Sequence, residues 1–258
     1  MNEERIYTAA VIIIGNEVLS GRVEDANLNF LAHRLKAQGI RLREARIIPD
    51  IRETIIDTLN TLRAAHDYVF TTGGIGPTHD DITAESVAAA FEVELERNAE
   101  AMALLQQHYA DRINESRLRM ANIPAGATLL ENPVSWAPGF QLENVYVLPG
   151  VPSIMRAMFD AFKNRLAGGR PLRSRTVNAF LPESEVAADL AAIQERYPGA
   201  EIGSYPYVHR QRFGCALVTR SEDARILDEV SAEIAALVRR LGADPEIVEG
   251  EGGAAPAA

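Results

Sequence analysis

The chain has 258 residues, 47% hydrophobic and 24% charged, a globular composition long enough to bury roughly 70% of its unfolded surface. Its 36 acidic against 26 basic residues give a formal charge of -10, and with no basic stripe to relieve that field a nucleic-acid partner is disfavoured. The single Cys215 rules out an intrachain disulfide or a cysteine metal cage, and Lys36 and Lys163 are the sole lysines. Residues 8–14 form a continuous β-branched run closed by Gly15, the pattern of a strand buried on both faces in a parallel sheet. Leu28, Leu31, Ala32 and Leu35 then recur at helical spacing until Gly39. A strand over 41–48, a helical stripe of Ile51, Ile55, Leu59 and Leu62, and a strand over 68–71 complete a βαβαβ alternation, which predicts an open, doubly wound sheet.

Helices are expected over 83–91, 98–114 and 115–122, a strand over 146–148 and a helix over 154–166. Gly168-Gly169-Arg170-Pro171 reads as the linker. Beyond it, strands at 175–181, 202–205 and 212–219 and helices at 183–197 and 223–241 predict a small α+β domain. The expected organisation is thus an α/β domain over 1–168, a small domain over 172–242 and a disordered tail over 243–258, where Gly250 to Ala258 offers nothing to bury. The longest apolar run, 9–14, is far below the roughly 18 residues of a membrane span. The opening Met-Asn-Glu-Glu-Arg is not a signal peptide, so a cytoplasmic protein without a membrane partner is expected.

Dinucleotide-fold, Walker, zincin and nucleophile-elbow motifs are all absent, and the five histidines are scattered. The chemistry is concentrated instead in the segment Thr71-Thr72-Gly73-Gly74-Ile75-Gly76-Pro77-Thr78-His79-Asp80-Asp81-Ile82-Thr83. It lies between a strand and a helix, at the carboxyl edge of the sheet where open α/β folds bind ligands. Three glycines there let backbone N–H groups converge on an anion such as phosphate. The alternative is a tight turn in which Thr83 or Asp81 caps the helix. Carboxylates at Asp80 and Asp81 would repel a phosphate unless a divalent cation lies between them or one acts as a base, which points to metal-bridged phosphate or pyrophosphate chemistry. Asp50 ends the second strand at the same edge, either as a further oxygen ligand or as the cap of the next helix with Glu53 as its capping-box partner.

Two further loops meet that edge. Gly15-Asn16-Glu17, with Asp25 and Asn27 downstream, offers oxygen ligands for ribose hydroxyls or a metal, although Asp25 also suits a helix cap. Pro149-Gly150-Val151-Pro152-Ser153 joins a strand to a helix, with Pro152 near the first turn and the N–H groups of Val151 and Ser153 available to the crevice. Trp136, the only tryptophan, lies in Asn132-Pro133-Val134-Ser135-Trp136-Ala137-Pro138-Gly139-Phe140 and is either a stacking surface for a planar heterocycle or a buried loop anchor.

Taken together, these motifs resemble the MoaB/Mog fold as it occurs in the amino-terminal domain of the CinA family, the competence and damage-inducible proteins. The match comprises Gly15-Asn16-Glu17 with Ser20-Gly21 and Asp25-x-Asn27, then the segment from Thr72 to Thr83. Asn132-Pro133, Ala137-Pro138-Gly139-Phe140 and Leu148-Pro149-Gly150-Val151-Pro152 continue it in order and spacing. It covers about 6–166, and residues 172–242 resemble the small domain that follows in that family.

The resemblance implies a three-layer α/β domain that binds a phosphate-bearing pterin or nucleotide, with Thr72, Gly73, Gly74, Gly76, Pro77, Thr78, Pro149, Gly150, Pro152 and Ser153 at the ligand. It implies activity-bearing acids at Asp50 and Asp81, and assembly as a dimer or trimer. CinA-type domains are linked to hydrolysis of ADP-ribose and related pyrophosphates with Mg²⁺, Mn²⁺ or Co²⁺, and a similar domain accompanies eukaryotic FAD synthase. The expectation is a hydrolase in which Asp80, Asp81 and either Asp50 or Glu17 hold the metal. The alternative is a non-hydrolytic pterin-binding protein of molybdenum-cofactor assembly. A third reading makes the small domain an interaction module with contacts at Tyr205-Pro206-Tyr207 and Arg210-Gln211-Arg212. Ser135 stands where many CinA sequences have glycine, and no counterpart of the family's nicotinamide-nucleotide deamidase domain is seen, so deamidation is not expected.

Overall fold

In a computed structural model of the chain, which describes residues 5–209 and 211–251, the apolar run becomes β1 (Tyr7–Ile14). Its alternate side chains feed two cores, Ala10, Ile12 and Ile14 on one face and Ala9, Val11 and Ile13 on the other. There follow α1 (Asn16–Leu19), α2 (Asn27–Ala37), β2 (Ile40–Ile48), α3 (Arg52–Ala65), β3 (Tyr68–Thr72), α4 (Thr83–Ala90) and β4 (Leu95–Arg97). Next come α5 (Ala99–Tyr109), α6 (Glu115–Leu118), β5 (Asn122–Pro124), β6 (Thr128–Leu130), β7 (Gly139–Leu142), β8 (Val145–Leu148) and α7 (Pro152–Phe162).

The six-stranded sheet runs β2-β1-β3-β8-β7-β6, parallel from β2 to β8 and antiparallel beyond. Leu31 and Leu35 of α2 and Met155, Met158 and Phe159 of α7 cover one face. Ile55, Leu59 and Leu62 of α3, Val87 of α4 and Leu105 of α5 cover the other. The result is the expected three-layer, mostly parallel α/β architecture with a smaller second unit. Ile48 pairs with Ile14, Thr72 with Ile13 and with Leu148, so four strands end in register. The loops carrying Asp50, Glu17, Gly73 and Pro149 therefore leave one edge.

The chain divides after Gly169. The second unit contains β9 (Arg173–Ala179), α8 (Glu183–Arg196), β10 (Glu201–His209), β11 (Arg212–Ser221), α9 (Ala224–Arg240) and β12 (Glu246–Glu249). Its antiparallel sheet runs β10-β11-β9-β12, with Val186, Leu190 and Ile193 of α8 and Val230, Ile234 and Val238 of α9 packed against Val177, Cys215 and Leu217. The expectation of a disordered tail from 243 is corrected. Glu246–Glu249 pairs with β9, the Gly250 N–H donates to Ser174 O at 2.8 Å, and Arg175 bonds Glu249 at 2.8 Å. The composition of the tail conceals this, because backbone pairing to an open edge needs few apolar side chains. Residues 252–258 lie outside the described residues, as does Arg210. Of the other proposed contact residues, Tyr205 accepts a hydrogen bond from Arg220, Tyr207 is buried beside Phe180, and Arg212 lies over Phe180 at 4.2 Å. No helix among the described residues is long and apolar enough to cross a membrane.

Asp67, just before β3, ties β1 to β3 at their other end. Its Oδ2 accepts from the Thr8 N–H at 2.8 Å and the Thr8 hydroxyl at 3.0 Å, and its Oδ1 from Arg5 at 2.6 Å. Desolvation pushes this carboxyl up, but the donors outweigh it and hold it below the usual carboxylate range. Asp67→Ala is expected to lower unfolding free energy by about 1–3 kcal/mol at neutral pH, since it orphans the Thr8 N–H. A carboxyl depressed in the fold stabilises above its unfolded pKa, so the gap between wild type and variant should close as pH falls through the folded value. Urea midpoints at pH 7 and in acid measure both effects.

Candidate functional site

Each strand end at the common edge is shaped by short-range contacts that the glycines permit. Gly73 has φ 105° and its N–H donates to Leu148 O at 3.1 Å. A Cβ there would stand 2.1 Å from Ile14 O, so no side chain fits between the ends of β1 and β3. Gly74 has φ 67°, and a Cβ would meet Thr83 Oγ1 at 2.2 Å. Gly150 approaches from the opposite loop, its notional Cβ 3.4 Å from Gly73 Cα.

The loops enclose a crevice of about 490 Å³ whose walls include Glu17, Gly73, Gly74, Ile75, Gly76, Asp81, Asn132, Pro149, Gly150, Val151 and Pro152. The N–H groups of Gly74, Ile75, Gly76, Gly150 and Val151 donate to no acceptor among the described residues. Free amides on two adjacent loops are the donor set from which an anion cradle is built.

The caps expected at α3 and α4 are replaced by bonds within and between the loops. Neither Thr83 nor Asp81 caps α4, whose N-cap is Ile82 without a side-chain bond. Thr83 instead donates its hydroxyl to Gly73 O at 3.0 Å, and its N–H to Gly74 O at 3.0 Å, closing the glycine loop. Asp81 Oδ2 accepts from the Thr78 N–H at 2.8 Å and from the Thr78 hydroxyl, which leaves its other oxygen without a partner on the crevice wall. Thr78 is therefore committed to holding Asp81 and lies off the crevice wall. Asp50 does not cap α3, whose N-cap is Ile51. Its Oδ2 accepts from the Asn16 N–H at 2.8 Å and braces the loop that carries Glu17.

Asp25 Oδ1 accepts from the Leu28 N–H at 2.8 Å in the first turn of α2, the capping role open to it. Asn27 is buried, and its Nδ2 donates to Gly150 O at 2.8 Å, positioning the Pro149 loop from behind. Gly15 contributes its N–H to Ile48 O, and Thr72 is buried at the strand end. Pro77, Asp80 and Ser153 are exposed and do not form the crevice wall. Asp80 has 69% of its side chain exposed, with His79 at 4.0 Å.

Of the expected metal ligands, the structure brings Glu17 and Asp81 to the crevice wall and leaves Asp80 and Asp50 outside it. Among the described residues, no three acidic, histidine or cysteine side chains cluster as a metal site. Two carboxylates suit a hydrated divalent ion completed by ligand phosphates. Both also lie against glycine backbone that a Cβ would fill. At Gly15 it would stand 2.5 Å from Glu17 Oε1, and at Gly76 2.7 Å from Asp81 Oδ2.

A residue missed in the sequence completes the surroundings. Arg119, in a 3-10 turn over Arg119–Ala121, lines a small cavity of about 50 Å³ together with Gly74, Gly76, Asp81 and Glu85. It is half-buried and makes no ion pair among the described residues. Nothing in its local sequence signals this, because α5, α6 and their turns carry it back to the glycine loop.

Residues 10–168 match the family model described as a probable molybdopterin binding domain, and residues 171–243 match that of the FAD synthase middle domain. A CinA-like protein of Geobacter metallireducens is 34% identical over 260 residues, covering 94% of this chain and 61% of that protein. A protein of Pyrobaculum calidifontis is 37% identical over 211 residues, covering 77% of this chain and 80% of the relative. The crystal structure of CinA, of unknown function, from Thermoplasma acidophilum has a TM-score of 0.58 at 34% identity, covering 61% of this chain and 96% of that one. The chain thus spans about three fifths of the CinA-like relative from Geobacter. With well over half of its length matched and the sheet-edge loops in place, it belongs to the molybdopterin-binding-domain family, in the MoaB/Mog-like form shared with CinA-like proteins.

Proposed function

We propose that the chain is a cytoplasmic, divalent-metal-dependent hydrolase of a nucleotide pyrophosphate of the ADP-ribose or FAD kind. The observation that carries this reading is the facing of two amide-bearing loops, at Gly74 and Gly150, across a crevice that also holds Glu17 and Asp81. The amides bind the phosphate oxygens and Asn27 holds the Gly150 loop at its distance. Glu17 and Asp81 would hold Mg²⁺, Mn²⁺ or Co²⁺, which supplies charge neutralisation and a more acidic water. Asp81, oriented by Thr78, has one oxygen left for that role. The match of residues 171–243 to a domain of FAD synthase supports a nucleotide ligand.

The deciding experiment incubates purified protein with ADP-ribose and with FAD plus each metal, with chromatography for AMP. Absence of AMP above an Asp81→Asn control sinks the hydrolase. The match to the probable molybdopterin binding domain favours a second reading, non-hydrolytic pterin binding. Its signature is a thermal shift with molybdopterin and none with adenine nucleotides. Under either reading a homo-oligomer, a dimer or trimer, is proposed, and light scattering of the intact chain measures it.

Arg119 is the cation beside the glycine loop in this scheme. Arg119→Gln is expected to weaken pyrophosphate binding about three- to tenfold, the scale of one charge-assisted hydrogen bond, with the melting temperature unchanged. Calorimetry with inorganic pyrophosphate reads it directly.

A further inference from the structure

On the far side of Asn132 from the crevice lies a second cavity of about 480 Å³, lined by Glu100, Leu104, Leu129, Glu131, Trp136 and Pro138 among others. Asn132 contributes to the walls of both. That volume falls in the range of small-molecule sites, and its lining combines an aromatic ring with aliphatic side chains and a few polar groups.

The tryptophan is held there rather than left loose. Its backbone has φ 62°, a left-handed conformation that bulky residues rarely adopt. The preceding turn is pinned by Asn132, whose Nδ2 donates to Ser135 Oγ at 2.7 Å and Ala137 O at 2.8 Å. Its Oδ1 accepts from the N–H groups of Val134 and Ser135, both at 3.0 Å. The indole stacks on His108 with centroids 5.9 Å apart and planes 22° apart, yet Trp136 stays 37% exposed. A large apolar ring fixed in place and left partly open is a stacking surface prepared before a ligand arrives.

The rim adds a chemical preference. Glu100 and Glu131 make no hydrogen bond or ion pair among the described residues, and carboxylates only accept. They suit a ring whose edge donates, through an exocyclic amine or a ring N–H.

We propose that this cavity is the ring subsite of the same ligand: a planar, amino-substituted heterocycle stacks on Trp136 while its phosphates occupy the crevice across Asn132. The proposal rests on the phosphate-crevice reading for the second half of that ligand. Because Trp136 is the only tryptophan, fluorescence excited selectively at tryptophan reports from this cavity alone.

The test titrates the full chain with AMP and with ribose 5-phosphate in the presence of Mg²⁺, followed by fluorescence and by calorimetry. AMP should quench the fluorescence saturably and bind about tenfold or more tighter than ribose 5-phosphate, the scale of one stacked base. Ribose 5-phosphate should bind without quenching. Trp136→Leu should abolish the AMP advantage and spare ribose 5-phosphate. Glu131→Gln, at an exposed position, should reduce AMP binding several-fold if the leucine variant does not fold. Equal binding of both ligands with unchanged fluorescence overturns the ring subsite and leaves the crevice reading standing. Failure of both ligands to bind overturns the two together.

Discussion

Replacing Gly73 by alanine is expected to remove pyrophosphate binding and to destabilise the fold by about 2–4 kcal/mol, the range of overpacking combined with a strained backbone. The two penalties have one origin. The residue sits at φ 105°, and its new Cβ would be 2.1 Å from the carbonyl oxygen of Ile14. Relief requires β1 and β3 to separate at their carboxyl ends, or the glycine loop to swing away from the neighbouring Gly150 loop. Either movement scatters the amides that face the crevice. Gly21→Ala is the matched control, since Gly21 also has a positive φ, 73°, but a Cβ there meets nothing within 4 Å. It should cost about 1 kcal/mol, the left-handed penalty alone, and leave pyrophosphate binding intact. Denaturant melts and calorimetry on the two variants separate backbone strain from loss of the cradle. Equal behaviour of the two would show that the close approach at Ile14 does not shape the site.

The parts of the fold that the sequence reveals are those where one local pattern suffices. The run from Thr8 to Ile14 reads as a doubly buried strand because both of its alternate faces are apolar, and both do meet a core. The helices α2 and α3 show in their leucine and isoleucine spacing. The short strands β6 and β7 do not, since three or four residues among prolines carry no period, and their place beside β8 comes from tertiary pairing. Strand β12 is equally silent, because what recruits it is the open edge of β9.

The same division runs through the site. Its loops could be located from the glycines and the strand ends, which are local. The roles of individual acids could not, because Asp50 is spent on Asn16, 34 residues away, and Asp25 on the first turn of α2. Asp80 and Asp81, adjacent and chemically alike, separate only when the turn is closed by Thr78. The net acidity, which first spoke against nucleic acid, is thus mostly unrelated to the crevice, where the carboxylates reduce to Glu17 and Asp81.

That separation makes Asp81→Asn the sharpest variant of the charge at the site. Asparagine keeps the shape, and its oxygen can turn to accept from the Thr78 N–H and hydroxyl as the carboxylate does. The amide NH₂ then occupies the position of the unpartnered carboxylate oxygen at the crevice, placing a donor where a cation needs an acceptor. The melting temperature should therefore stay close to that of the wild type. Pyrophosphate binding without metal should be retained or strengthened, because one repulsive charge has gone. The gain in pyrophosphate affinity on adding Mg²⁺ should disappear, and AMP formation from ADP-ribose should fall by about 10²-fold or more. Asp80→Asn, at a side chain 69% exposed and off the crevice wall, should leave both within about twofold, in keeping with a solvated surface charge. An Asp80 variant as damaged as the Asp81 variant would move the metal out to the exposed turn. An Asp81 variant that keeps its magnesium dependence would remove that carboxylate from the chemistry.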